Sequence, residues 1–265
     1  ICVIRVIRVL FFTHIIMKTQ HHNVDLCVVG GGLAGMCAAI AAARHGIKVA
    51  LIHDRPVLGG NASSEIRMHV CGAHGENNRE TGLIEEFKLE NRYRNPLGNY
   101  SIWDSILYEK VRFEPNITLL LNCSVNDLTM DGNRIVSVKG WQLTTYTWHT
   151  VEATLFADCS GDSILAPLSG AEFRVGREAR DEFDEDIEPE IADRKTMGMS
   201  CLLQGRETAS PQTFIPPTWA NTYPDDGFLP ERDHRLAGDQ NFWWIDLGGE
   251  QDSIHDTEAL RDELL

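Results

Sequence analysis

The alternation of apolar and polar residues predicts a strand, a helix and a second strand near the start of the chain. The apolar run VDLCVV, Val24–Val29, is typical of a buried parallel strand. A glycine-rich turn follows, and the alanine-rich stretch MCAAIAAARHG then favours a helix that ends near Gly46. The run IKVALI, Ile47–Ile52, predicts the second strand. This order of elements indicates a βαβ unit.

The later pattern predicts more strands than helices. Apolar residues at helical spacing cover Ser101–Phe113, and NITLLLNCSV predicts one strand. The segment DLTMDGNRIVSVKGWQL predicts a hairpin that turns at Asp131–Asn133, and TYTWHTVEATLFADCSG adds two more β segments. The stretch KTMGMSCLLQGRE has a strand-like centre, and IHDTEALRDELL has a helical pattern. We therefore predict an α/β fold with a parallel sheet and a β-meander, followed by the start of a second, β-rich unit.

The two ends of the chain differ from the rest. The first sixteen residues are apolar but contain Arg5 and Arg8, and they are too short and too charged for a comfortable membrane span. We expect residues 1–16 to be a non-native extension upstream of a natural start at Met17, with a short membrane anchor as the alternative. The final helical pattern has no C-cap, so we expect the polypeptide to continue.

Composition narrows the classes of partner and compartment. The 39 acidic and 24 basic residues give a net charge of −15, which disfavours nucleic acid and anionic membranes as partners. The acidic stretch at 178–193 is expected to be a solvated loop or linker. The seven cysteines form no CxxC pair, which argues against a disulfide framework and favours a reducing, cytoplasmic location. Their spacing predicts no metal or iron–sulfur site in this part of the protein.

The glycine-rich turn, with Leu33 and Ala34 between its last glycines, fits the pattern G-x-G-x-x-G. Gly30 would permit the tight turn, Gly32 would let a pyrophosphate approach the backbone, and Gly35 would let helix and strand pack closely. The N-terminus of the helix would then face the phosphates. The turn therefore predicts a dinucleotide site, and the alternative is a turn that serves packing only.

A side chain after the second strand should accept hydrogen bonds from the ribose of such a ligand. His53 holds the usual position, but Asp54 lies nineteen residues after Gly35 and offers a carboxylate. We predict Asp54 as the ribose ligand, with His53 as the alternative and Arg55 beside them as a further contact. Asp54 could instead cap a turn before Pro56.

Further motifs resemble flavoproteins of the glutathione-reductase-like superfamily. A second glycine pair follows the second strand, and the strand ATLFADCSGD ends in a turn that is similar to that superfamily's second FAD fingerprint. The stretches DRPVLGGNASSEIR, RNPLGN, WDSILYEKV, ADCSGDSILAPLSGAEFRVGRE and NFWWIDLGGE resemble the FAD-dependent oxidoreductase family related to the flavin-bearing component of heterodisulfide reductase. The resemblance implies FAD as the cofactor, with additional contacts from Gly59, Gly60, Asn61, Ser160, Gly161 and Asp162. An NAD(P) dehydrogenase would need a full nicotinamide half, which we do not find.

The segment SEIRMHVCGAHG carries the candidate catalytic residues. In an extended chain Glu65, Arg67, His69 and Cys71 would share one face, directly after the glycine pair. Arg67 could bind an anionic substrate or stabilise the reduced flavin, His69 or His74 could act as a general acid or base, and Cys71 could be a redox partner. The alternative is a surface strand of ordinary alternating polarity.

These observations predict an FAD-dependent oxidoreductase that acts on a small organic substrate by hydride or electron transfer to the flavin. We expect an FAD-binding domain over 17–170 and the start of a substrate or cap domain over 171–265. One alternative is a flavin-bearing electron-transfer protein with a protein acceptor, with or without a 4Fe-4S cluster. Another is a non-catalytic nucleotide-binding scaffold.

Overall fold

The computed structural model describes residues 17–73, 75–204, 208–223, 225 and 242–264. Predictions for residues 1–16 and for His74 lie outside the described residues. The chain divides into two compact units, the first ending at Glu172 and the second beginning at Phe173. The substrate role expected for the second unit stays a prediction. Within the described part of the chain, no helix is both long and apolar enough to cross a bilayer.

The first unit contains six strands and four α-helices among its described residues. In chain order these are β1 (Lys18–Val29), α1 (Leu33–Arg44), β2 (Val49–Ile52), α2 (Gly82–Arg94), α3 (Tyr100–Arg112), β3 (Ile117–Leu120), β4 (Cys123–Asp131), β5 (Arg134–Gln142), β6 (Thr147–Asp158) and α4 (Leu165–Ser169). A short 3-10 helix, Gly60–Ala62, follows the second glycine pair.

The strands of this unit form one mixed sheet in the order β3-β2-β1-β6-β5-β4. The first four are mutually parallel, while β5 pairs antiparallel with both β6 and β4. Val29 pairs with Ile52 of β2 on one side and with Asp158 of β6 on the other. The carboxyl ends of β1, β2 and β6 therefore lie level at one edge of the sheet. The α/β fold with a parallel sheet and a meander is confirmed.

Alternate residues of the central strands enter two different cores. Val28 and Leu51 pack with α1, α2 and α3 on one face, where Met36 and Phe87 are fully buried. Cys27 and Ile52 face the other side and pack with β4, β5 and α4. Both faces of the parallel part are thus covered, as parallel sheets require.

The observed elements differ from the predicted ones at several places. The single strand predicted in NITLLLNCSV is two, because Asn122 has a positive φ of 52° between β3 and β4. The two β segments predicted before Gly161 are one continuous strand, β6. The hairpin turn after Asp131 is confirmed, with Gly132 at a φ of 58°. The helix α2 was not predicted, because its apolar residues are few and only Phe87 is fully buried.

Charged side chains join the three helices on one face of the sheet. The carboxylate of Glu86 on α2 accepts hydrogen bonds from Arg44 of α1, at 2.7 and 2.9 Å, and from Lys110 of α3, at 3.0 Å. The hydrogen bonds from Arg44 and then from Lys110 lower the pKa of Glu86 to about 2. Since the folded carboxyl binds its proton more weakly than the unfolded one, this contribution to stability is present above the unfolded pKa of 4.5 and is lost as the pH falls towards 2.

The second unit contains, among its described residues, α5 (Arg180–Phe183), β7 (Thr196–Gln204), β8 (Phe242–Gly249) and α6 (Thr257–Leu264). The two strands pair antiparallel, and Ser200 hydrogen-bonds to Asp246 across them. The acidic stretch is largely exposed, as expected, although α5 lies within it. Its two ends are joined by a pair of backbone hydrogen bonds and an ion pair between Arg177 and Asp193.

Candidate functional site

The glycine-rich turn lies where β1, β2 and β6 end. The Gly30 N–H donates to the Ile52 carbonyl oxygen at 2.8 Å, and the Cys159 N–H donates to the Val29 carbonyl oxygen at 2.7 Å. The turn after β1 and the bend after β6 are therefore adjacent, although 129 residues separate Gly30 from Cys159. This edge, at the carboxyl ends of parallel strands, is where open α/β sheets bind their ligands.

A Cβ added to each glycine shows which positions have room for a side chain and which do not. At Gly30, which has a φ of 107°, the Cβ would lie 2.1 Å from the Cys159 carbonyl oxygen, and at Gly35 it would lie 1.9 Å from the Gly30 carbonyl oxygen. At both positions, backbone atoms of the chain leave no room for a side chain. At Gly32 the nearest atom is 4.0 Å away, and at Gly161 nothing lies within 4 Å. A Cβ at either of these two glycines would therefore meet open space.

The N-terminus of α1 starts at this open space. Gly32 is the N-cap residue, with an extended backbone, and no side chain caps it. The first turn of the helix carries no acidic residue. Its backbone N–H groups and the positive end of its dipole suit a phosphate or another anion.

The His53 side chain is buried against the glycine-rich turn and hydrogen-bonds to its backbone. Its side chain is only 5% exposed, and its Nδ1 accepts the Gly31 N–H at 3.0 Å. Because a backbone N–H can only donate, Nδ1 is unprotonated, and Nε2–H donates to the Val57 carbonyl oxygen at 3.0 Å. Burial lowers the pKa of His53, although the nearby Asp54 opposes the shift. Both ring nitrogens are occupied, so the alternative assignment of His53 to a ribose is not supported by this geometry.

Asp54 is the acidic group that remains accessible after β2. Its side chain is 63% exposed, and its Oδ1 lies 3.4 Å from the His53 Nδ1. The neighbouring Arg55 forms an ion pair with Glu65 at 3.5 Å. Asp54 is therefore accessible at the end of β2, and its role as a ribose ligand stays a prediction, as does a cofactor contact from Arg55, which joins the strand end to the segment after the glycine pair.

The second glycine pair packs directly on the first turn. The Gly59 N–H donates to the Gly31 carbonyl oxygen at 2.9 Å, and a Cβ on Gly60 would lie 3.1 Å from the Gly32 Cα. Gly59 has a φ of 108°, and a Cβ there would lie 2.7 Å from Leu107 of α3. Asn61, which follows the pair, is exposed. The glycine-rich turn is therefore in backbone contact with the second glycine pair as well as with the bend after β6.

Asp158 organises the bend after β6, and the sequence reasoning missed it. Its Oδ1 accepts hydrogen bonds from the Ser160 N–H at 3.0 Å and the Ser160 hydroxyl at 2.6 Å, and its Oδ2 accepts the Leu165 N–H at 2.8 Å. The Ser160 hydroxyl oxygen accepts the Ile164 N–H at 3.0 Å. The Ser160 side chain is therefore used within the bend, whereas Gly161 and Asp162 are exposed. An Asp two residues before a Ser at a strand end was the available signal.

The segment after Asn61 is not the extended strand that was predicted. The Arg67 N–H donates to the Ser63 carbonyl oxygen at 2.8 Å, and Arg67 has a φ of 62°. This turn breaks the alternation, so Glu65, Arg67, His69 and Cys71 do not share one face of a strand. The hydrophobic pattern was misleading because hydrogen bonds from a helix distant in sequence shape this segment.

Three side chains from the start of α3 hold the segment in place. The Tyr100 hydroxyl donates to the Arg67 carbonyl oxygen at 2.7 Å, and the Trp103 Nε1–H donates to the Ala62 carbonyl oxygen at 2.9 Å. Asp104 Oδ1 accepts the Ser64 N–H at 2.9 Å. The predicted helix, Ser101–Phe113, includes Trp103 and Asp104 but not Tyr100, and the spacing of its apolar residues gave no sign that its first turn anchors another segment.

Two of the predicted catalytic side chains contact each other beyond this turn. The Cys71 Sγ lies 3.5 Å from the His69 Nε2, and both residues are exposed. Arg67 is exposed as well, with its guanidinium carbon 6.0 Å from the centre of the Tyr100 ring. All three residues follow the glycine pair on accessible chain, and their catalytic roles stay predictions.

Comparison with known proteins gives short local matches to curated relatives. A 45-residue stretch, 17% of this chain, is 57% identical to fumarate reductase (cytochrome) from Shewanella frigidimarina and covers 8% of that protein. A 42-residue stretch, 16% of this chain, is 48% identical to soluble pyridine nucleotide transhydrogenase from Chromohalobacter salexigens and covers 9% of that protein. The matches thus span less than a tenth of these relatives.

Solved structures resemble part of this chain only distantly. Thermovibrio ammonificans THI4 aligns with a TM-score of 0.42 and 20% identity, over 64% of this chain and 76% of that one. The FrdA chain of E. coli quinol fumarate reductase aligns with a TM-score of 0.40 and 17% identity, over 54% of this chain and 33% of that one. Because these likenesses are distant, the fold assignment rests on strand order and register.

A family model described as FAD dependent oxidoreductase matches residues 25–246, from within β1 to within β8. The match includes the glycine-rich turn, the second glycine pair and the bend after β6. On this match, which covers most of the sequence, the chain belongs to the family of FAD dependent oxidoreductases.

Proposed function

We propose that this chain carries the flavin site of an oxidoreductase that acts on a small organic substrate by transfer of hydride or electrons to FAD. The single observation that supports it best is the adjacency of the Gly30–Gly35 turn and the Cys159–Gly161 bend. Two bends that are distant in sequence meet around open space, as a single extended nucleotide would require.

The residues at this edge fit FAD. A Cβ at Gly32 or Gly161 would extend into space that the chain leaves open, whereas Gly30 and Gly35 are closed by backbone. The uncapped N-terminus of α1 would hold the pyrophosphate, Asp54 the ribose, and the backbone near Gly161 the ribityl part. When bound, FAD supplies the redox chemistry, and the protein binds and orients it.

The chain's own residues have three proposed tasks near the substrate. Arg67 binds an anionic group through its guanidinium, which stands on exposed chain held by α3. His69 holds or releases a proton at an imidazole nitrogen, since one ring nitrogen of a neutral imidazole can accept a proton and the other can donate one. Cys71, whose sulfur contacts His69, is the third candidate. Exposure of all three supports access for a substrate.

Two finer assignments remain proposals. The relation to the flavin-bearing component of heterodisulfide reductase, and with it an electron-transfer role towards a protein acceptor, is supported only by the sequence motifs quoted above. A cytoplasmic location is supported only by the scattered cysteines.

The decisive experiment is a titration of the purified chain with FAD, followed by anaerobic mixing with a panel of small organic acids, sugars and polyols. We expect quenched flavin fluorescence at a one-to-one stoichiometry, and bleaching of the visible flavin bands by at least one substrate class. A folded chain, judged by circular dichroism, that does not bind FAD would overturn the proposal. FAD binding without bleaching by any panel member would favour electron transfer to a protein.

A further inference from the structure

A cleft outside the glycine turns lies between α2, α3 and the segment after Asn61. Its volume is about 290 Å³, the size of a small-molecule site. None of its lining residues belongs to the glycine turns or to the bend after β6. The side chains that give it its chemistry are His69, Val70, Lys88, Asn91, Tyr100 and Trp103.

The polar groups of the cleft are mainly hydrogen-bond donors. No carboxylate is among the lining residues, although the chain as a whole carries a net charge of −15. The Lys88 ammonium supplies a positive charge. The Asn91 side-chain oxygen already accepts a hydrogen bond from Asn95 Nδ2 at 2.9 Å, so the group that Asn91 offers a ligand is its NH₂. Such a set of donors favours an anion.

The aromatic walls offer apolar ring surface. The Tyr100 hydroxyl and the Trp103 Nε1–H are both used in hydrogen bonds to the backbone of the neighbouring segment. Neither ring therefore has a free donor, and both residues line the cleft. Val70 adds a further apolar side chain. A ligand that fills this cleft needs a flat, apolar body beside its charge.

The backbone next to the cleft is held in a conformation that side chains with a Cβ rarely adopt. Arg67, a non-glycine residue, has a φ of 62°. It is fixed from several directions, by the Ser63 carbonyl oxygen, by the Tyr100 hydroxyl and by its own Nε–H donating to the Ser64 carbonyl oxygen. The wall residue Tyr100 therefore also holds this segment in position.

We propose that this cleft binds a small carboxylate with a planar apolar body. Lys88 and Asn91 hold the carboxylate, and the rings of Tyr100 and Trp103 contact the body. None of these four residues belongs to the proposed FAD contacts, but the cleft shares His69 with the residues proposed to act near the substrate, so the inference rests in part on the proposed function.

Isothermal titration calorimetry of the full 265-residue chain with benzoate tests the proposal, with neutral benzamide as the probe of equal size and shape. We expect benzoate to bind at least about tenfold more tightly than benzamide, as a charge-assisted hydrogen bond implies. The substitution Lys88→Met replaces the unbranched lysine stem by a side chain that is one heavy atom shorter and uncharged, and it should weaken benzoate binding about tenfold. Lys48→Met, at an exposed lysine just before β2, is the matched control and should leave binding unchanged.

The outcomes separate this site from the flavin site. Saturating FAD should leave the benzoate affinity unchanged, and displacement of benzoate by FAD would place the probe in the flavin site and overturn the proposal. Three further results would overturn the proposal: no binding of benzoate, equal affinity for benzoate and benzamide, or a Lys88→Met variant that binds benzoate as tightly as the wild type. Circular dichroism of both lysine variants shows that any loss is not a loss of folding. Failure of FAD to bind has no bearing on this result.

Discussion

At the scale of single residues, the glycines of the first turn are required for different reasons. The backbone of Cys159 closes the Cβ position of Gly30, whose positive φ is already unfavourable for other residues. Gly32 has a φ of −65°, which any residue adopts, and open space beside it. Folding therefore requires a glycine at Gly30, whereas the described chain leaves room for a side chain at Gly32, where a need for glycine would come from the proposed ligand.

Alanine at these two positions should separate folding from cofactor binding. We expect Gly30→Ala to lower the free energy of unfolding by more than about 2 kcal/mol, because backbone must move. Gly32→Ala should change it by less than about 1 kcal/mol but weaken FAD binding by about tenfold or more. Urea unfolding and FAD titration measure the two effects. A Gly32→Ala variant with unchanged FAD affinity would contradict the assignment of this opening to the pyrophosphate.

His53 makes a prediction about pH. Burial lowers its pKa below the unfolded value of 6.5, so in the range between the two values the unfolded chain binds more protons than the folded one. Stability is then complete above pH 6.5 and falls as the pH drops below it. His22 and His149, joined at 2.9 Å across β1 and β6, also have lowered pKa values, through burial first and then neighbouring positive groups, and they act in the same direction.

The variant His53→Asn should flatten this dependence, because it removes the titrating ring while its side-chain oxygen can still accept the Gly31 N–H. Urea unfolding from about pH 7.5 to about pH 5 measures the slope. His22 and His149 should leave part of the slope in place. His45→Asn, at an exposed position that follows α1, is the control and should keep the wild-type slope. Equal slopes in all three proteins would show that His53 is not held neutral in the folded state.

At the scale of elements, α3 has two tasks. One face of the helix packs Ile106, Leu107 and Val111 into buried positions beneath the sheet. Its first turn holds the segment that carries Arg67, through Tyr100, Trp103 and Asp104. The spacing of these three residues, at i, i+3 and i+4, places them on one side of the helix. The helix therefore couples the core to the segment that carries the candidate catalytic residues.

Removing one of these anchors should loosen the segment. Trp103→Phe keeps an aromatic ring but leaves the Ala62 carbonyl oxygen without its donor. We expect this change to lower the free energy of unfolding by about 1–3 kcal/mol. Hydrogen exchange should speed up over residues 61–68, and urea unfolding should report the loss of stability. Trp219→Phe is the control, because the Trp219 side chain is 67% exposed. Its free energy of unfolding should stay within about 0.5 kcal/mol of the wild-type value. Unchanged exchange in Trp103→Phe would remove the case for an anchor.

At the scale of the whole molecule, the open cofactor edge and its supports lie within the first compact unit. The glycine turns, Asp54 and the bend after β6 all precede Glu172, where this unit ends. Both of its cores are also built from residues of this unit. The described residues that frame the proposed flavin site therefore all belong to the first unit.

A polypeptide of residues 17–172 should accordingly fold alone and bind FAD. We expect a single cooperative thermal transition and an FAD affinity within about threefold of the full chain. Calorimetry and flavin-fluorescence titration provide the two measurements. If the full chain binds FAD and the shorter, folded polypeptide does not, residues after Glu172 contribute directly to the site.

The sequence by itself determined the βαβ unit, the meander and the glycine-rich turn that ends the first strand. These features depend on local chemistry: apolar runs that bury strands, a turn that only glycine permits, and Asp131–Asn133 at a hairpin. The family resemblance added FAD, and the family match bears it out.

Only the tertiary structure decided which side chains are exposed at the edge of the sheet and which support the turn. His53 and Asp54 are adjacent in sequence, yet one is buried under Gly31 and the other exposed. The strand predicted through Arg67 became a turn because Tyr100 and Trp103, more than thirty residues later, hydrogen-bond to its backbone. A local pattern cannot encode such contacts, since they arise only when the sheet brings distant segments together.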